Sequence, residues 1–151
     1  MRQAHRAMIS HRMHTLKAHD GAVLVEFAFA LPVLALILVI IIDGGLAIRE
    51  HQLLQNAARE GARFGSLRSE TTESEITNRV VNYCAEEGIP VDSAEVTVVK
   101  ELQFPVEGGT LIARGTLVTV TRTHQMLLLG APLLPSGSIT LTGRSLFRNL
   151  Y

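Results

Sequence analysis

The alternation of apolar and polar positions changes its period several times along the chain. From Ala22 to Ile42 it does not alternate: AVLVEFAFALPVLALILVIII carries one ionisable side chain, Glu26. As a helix rising about 1.5 Å per residue, this run covers about 31 Å, the thickness of a bilayer's hydrocarbon core. It predicts a membrane-spanning helix with a kink near residues 28–32, where Pro32 removes a backbone donor. Asp43-Gly44-Gly45 follow as a candidate hinge. Beyond them Leu46, Leu53, Leu54, Ala57, Gly61, Phe64 and Leu67 recur at the steps of one helical face, so the helix is expected to continue to about Leu67. Ala57, Gly61 and Gly65 fall four apart and leave a groove without side chains, suited to close packing of the helix against a sheet.

Past this helix the pattern shortens. Thr71 to Glu75 supply capping hydroxyls and first-turn acids, then Ile76, Val80, Val81 and Cys84 form an apolar stripe that Gly88-Ile89-Pro90 ends, a second helix of about 14 residues. Three segments with β character follow: Glu95 to Phe104, Leu111 to Thr121 and Gly137 to Phe147. Glu107-Gly108-Gly109 is expected to turn the first hairpin. The apolar run from Met126 to Leu134, broken by Gly130 and Pro132, reads as a loop over one end of the core, or as a patch for a partner if it faces outward. The expected fold is α+β: a long N-terminal transmembrane helix extends into a small domain with one further helix and a roughly three-stranded antiparallel sheet.

Charge adds an orientation. Fourteen Lys and Arg balance fourteen Asp and Glu, so the whole chain offers no polyanion-binding surplus and no nucleic-acid partner is expected. The balance is uneven, since Arg2, Arg6, Arg12 and Lys17 against Asp20 leave the first 21 residues positive and the remainder negative. Basic residues before an apolar run stay cytoplasmic, which places the N-terminus inside and the rest outside. The chain then divides into a leader (1–21), a transmembrane helix (22–42), its extracytoplasmic extension (43–68) and a small α+β domain (69–151). The one cysteine, Cys84, cannot form an internal disulfide and is expected to be a buried, inert thiol.

Catalytic chemistry finds no motif. His5, His11, His14 and His19 lack a regular ligand spacing, and His51 and His124 stand singly, so no metal is expected. No glycine pattern would cradle a phosphate and no nucleophile–base set can be assembled. The chain reads as a non-enzyme with no cofactor and no small-molecule substrate.

Glu26 is the exception within the apolar run, since an acid at bilayer depth costs on the order of 3 kcal/mol. It either reaches the nearby headgroups or pairs with a cation from a neighbouring subunit. The junction upstream bears on this: Asp20-Gly21 closes the basic leader, Ala22 opens the apolar run, and Glu26 is fifth after Gly21. That arrangement resembles the class III signal of type IV pilins and pseudopilins. The resemblance implies cleavage by a prepilin peptidase between Gly21 and Ala22, and pairing of the freed amine with Glu26 of an adjacent subunit. Ala22 stands where major pilins carry Phe, a departure from that group.

The stretch from Gly21 to Leu67, with Glu26-Phe27-Ala28, Leu31-Pro32 and Ala57-Ala58-Arg59-Glu60-Gly61-Ala62-Arg63, resembles the N-terminal signature of the TadE-like family of tight-adherence pilus assembly proteins. It implies a pseudopilin of pilin-like fold in a bacterial inner membrane, whose partners are other pilin-like subunits, the pilus assembly machinery, the prepilin peptidase and the lipid bilayer. The alternatives are an uncleaved membrane-tethered docking or regulatory domain, and a secreted protein cut after Ala47.

Overall fold

The structure, a computed structural model, describes residues 2–106, 112–126 and 137–151, with side chains from Gly21 onward. The expected turn at Glu107–Gly109 and the apolar stretch after Met126 lie outside the described residues. Helix α1 (Arg2–Ser66) includes the leader backbone and runs through Pro32 and through Gly44-Gly45, the candidate hinge. The chain separates into two compact units, Met1–Ile42 and Asp43–Tyr151. In the first, none of residues 21–42 is buried by the chain. Among the described residues α1 is the one helix long and apolar enough to cross a membrane.

The second unit is built on the outer part of α1. Helix α2 (Glu73–Glu86) starts where Thr72 caps it: the Thr72 hydroxyl accepts from the Glu75 amide, and the Glu75 carboxylate accepts from the Thr72 amide at 2.8 Å. Those bonds, first from the Thr72 backbone and then from its hydroxyl, hold the Glu75 carboxyl below its usual range. The helix stops as Gly88 adopts φ 78 and the Ile89 amide reaches back to the Cys84 carbonyl. Strands β1 (Val96–Pro105), β2 (Ile112–Gln125) and β3 (Ser138–Arg148) pair antiparallel in sequence order. The sheet is α+β with α1 and α2, as the alternation predicted.

The core draws Leu54, Ala57, Ala58 and Ala62 from α1, Ile76, Val80 and Cys84 from α2, and Val96, Val118 and Val120 from the sheet. Each fully buried Ile or Val contributes roughly 1.5–3 kcal/mol. Cys84 is buried as expected, and desolvation pushes its thiol up to about 11. The core-facing stripe of α1 differs from the expected one at three positions: Leu46, Phe64 and Leu67 are exposed. Leu53 and Leu54 are buried as expected, but beyond them alanines and glycines form the buried side, because the elements opposite come too close for leucine. A Cβ on Gly65 would sit 2.5 Å from Ile76 Cδ1 and 2.8 Å from Thr116 Cγ2, and one on Gly143 would overlap the Leu54 backbone.

Candidate functional site

Residues 21–66 of α1 hold every position that the sequence marked. Gly21 sits in open space, with no atom within 4 Å of where a Cβ would be, and Ala22 and Glu26 are exposed. The peptide bond between Gly21 and Ala22 lies in helical backbone. Glu26 stands among exposed Val23, Val25 and Phe29, an acid on an apolar surface. Ala57, Gly61 and Gly65 lie within the second unit and all three are buried, Gly61 against Val80, Val118 and Ile76, and Gly65 against Ile76 and Thr116. The groove is filled by α2 as well as by the sheet.

Two polar clusters tie this helix to the sheet. Glu50, 7% exposed, ion-pairs with Arg122 Nε at 2.6 Å and with His124 Nδ1, both on β2. Arg122 also donates to the Pro90 carbonyl, so one guanidinium joins α1, β2 and the segment after α2. Half-buried charges of this kind persist only when paired. His124, isolated in sequence, is thus a structural partner. Among the described residues no three His, Cys, Asp or Glu side chains converge as metal ligands.

The second cluster sits at a β-bulge. Val99 pairs with Leu117 and Leu102 with Gly115, so Lys100 and Glu101 together oppose Thr116. Glu101 takes φ 58, a left-handed conformation that costs a non-glycine residue about 1 kcal/mol. Its carboxylate there accepts from Tyr151 Oη at 3.0 Å, Asn149 Nδ2 at 2.8 Å and Arg114 at 3.2 Å. The Tyr151 bond leads in holding the Glu101 carboxyl below its usual range, and burial first, then Glu101, moves the Tyr151 phenol up. Asn149 Oδ1 accepts from the buried Thr116 hydroxyl, and the Leu150 amide donates to the Ser66 carbonyl at the end of α1. The last three residues are thereby fastened to both helix and sheet. Neither cluster has a local signal, since the bonds that define them, Glu50 to His124 and Glu101 to Asn149, join residues 74 and 48 positions apart.

No curated protein and no solved structure matches the chain. One family model does, that of TadE-like protein, over residues 21–63. The match begins at the glycine before the apolar run and ends within the alanine–glycine stretch that packs on α2, so it covers Glu26 and the tight-packing positions Ala57 and Gly61 together. Over residues 21–63, less than a third of its length, the chain is similar to the TadE-like family.

Proposed function

We propose that the chain is a pseudopilin-like structural subunit in the assembly of a tight-adherence pilus or related secretion machine, and not an enzyme. Residues 22–42 insert as a single span with the N-terminus cytoplasmic and the second unit outside. A prepilin peptidase cuts after Gly21, and the new Ala22 amine pairs with Glu26 of a neighbouring subunit. This turns a costly lone carboxylate into a compensated one. The observation that carries the reading is the family match opening at Gly21, where an open glycine precedes a run that the chain itself leaves uncovered.

The test is the N-terminal residue of the protein recovered from cells with and without a prepilin peptidase. A peptidase-dependent start at Ala22 is expected; an uncut chain in both hosts would make it a permanently tethered domain and end the pilin-like reading. In cut protein, Glu26→Gln is expected to insert and be processed normally but to reduce co-purification of neighbouring subunits. Normal assembly would remove the pairing role.

A further inference from the structure

The solvent side of α1 in the second unit is charged in one sense. Arg49, Gln52, Asn56, Arg59 and Arg63 follow one another at steps of three and four, the spacing of one helical stripe, and all are exposed. The acids of the same segment are committed elsewhere: Glu50 to Arg122 and His124, and Glu60 to Arg79 at 2.8 Å. Arg49, Arg59 and Arg63 form no ion pair among the described residues. A helix face whose arginines are unpaired among the described residues, and whose flanking acid Glu60 is already held by Arg79, attracts an anionic surface of matching spacing.

Such a surface is present on the same chain. Along α2, Glu75, Asn78, Asn82 and Glu86 are exposed at steps of three, four and four, and the cation on that face, Arg79, is held by Glu60 of α1 at 2.8 Å. Acids flank two amides, as arginines flank Gln52 and Asn56. Eleven residues separate the two acids and ten separate Arg49 from Arg59, about 16 and 15 Å along their helices. Glu75 remains able to accept further bonds while it caps α2, because each carboxylate oxygen has two lone pairs.

We infer that the Arg49–Arg63 stripe of one copy docks on the Glu75–Glu86 stripe of a second copy, with Arg49 against Glu86 and Arg59 against Glu75. The inference rests on the proposed assembly role and names the contact that serves it. The two stripes differ, so the contact is head-to-tail: each copy keeps one stripe free for the next, and the series stays open. Its register follows from the fold. Within one copy α2 runs antiparallel to α1, with Gly61 beside Val80 and Gly65 beside Ile76. Copies aligned in parallel bring Arg49 to Glu86 after a relative slide of six or seven residues, about 10 Å. The same slide brings Asn56 of one copy beside Asn78 of the next.

The test is disulfide trapping of the full chain in cell membranes, with the native Cys84 buried. Copies carrying Asn56→Cys and Asn78→Cys, on distinguishable tags, are co-expressed and oxidised. The mixed cross-link is expected, with little cross-linking of either variant to itself. Arg49→Glu on the first copy, or Glu86→Arg on the second, lowers its yield about tenfold, and both together restore it. A missing mixed cross-link, equal self-cross-linking by Asn56→Cys, or a yield indifferent to the charge changes overturns the inference. Sequencing the N-terminus in the same membranes separates the two readings. A start at Ala22 without the cross-link removes only this contact, whereas an uncut chain with a charge-dependent cross-link keeps it and removes the pilin-like processing.

Discussion

Two stretches of one helix contrast here. Residues 22–42 are large and apolar, and the chain buries none of them; between Leu53 and Ser66, the buried positions are mostly alanine and glycine. Hydrophobicity per residue therefore runs opposite to burial. The first stretch needs an external apolar medium, since side chains that nothing in the protein covers are favourable only in lipid or against other subunits. The second obtains its stability from proximity: small residues admit Val80, Ile76, Val118 and the Gly143 backbone to the helix surface, where close-packed contacts accumulate.

The contrast can be broken from either side. Leu34→Arg, near the middle of the apolar run, is expected to cost about 3 kcal/mol of insertion free energy. Membrane fractionation checks this, with most of the variant lost from the membrane pellet. Gly65→Leu should cost about 2 kcal/mol in denaturant unfolding of the detergent-solubilised chain, because Ile76 and Thr116 occupy the space. Gly45→Leu, in open space on the same helix, should change stability by less than about 1 kcal/mol. Equal losses at Gly65 and Gly45 would show that close packing is not what the glycine supplies.

The smallest effect concerns acid. Glu101 has a carboxyl pKa lowered chiefly by Tyr151, so its contribution is present above the ordinary carboxylate pKa of about 4.3 and is lost as pH falls through the lower folded value. The C-terminal fastening should then release in acid before the core does. With Tyr83→Phe leaving Tyr151 as the sole tyrosine, tyrosine emission is expected to change as pH falls below the ordinary carboxylate range, the direction set by that lowered carboxyl. Adding Glu101→Gln should abolish the transition; a transition that persists would assign it to another group.

Much of the fold was legible because its signals are local. The apolar run, the Thr72–Glu75 capping box, the stop at Gly88 and the alternating strands each lie within a few residues. The strand ends moved little from expectation, although β2 runs to Gln125 rather than Thr121, since its partner β3 continues pairing to Ser138. The expected stripe on α1 misplaced Leu46, Phe64 and Leu67 because periodicity ranks positions by hydrophobicity, and here distance to the opposing element decides. His124 gave no sign of its partner, which is 74 residues away.

By itself the sequence determined that the chain has one span-length apolar helix with a lone acid near its start, a basic stretch before it of opposite charge to the remainder, and a small helix-and-sheet unit beyond. These follow from composition and short-range periodicity, which act whatever the rest of the chain does. Only the tertiary structure decided that Glu50 is spent on Arg122 and His124 and Glu60 on Arg79, leaving Arg49, Arg59 and Arg63 unpaired among the described residues on the opposite face. The charge that a helix presents depends on which of its side chains the fold has already paired, and that pairing is a matter of three-dimensional distance.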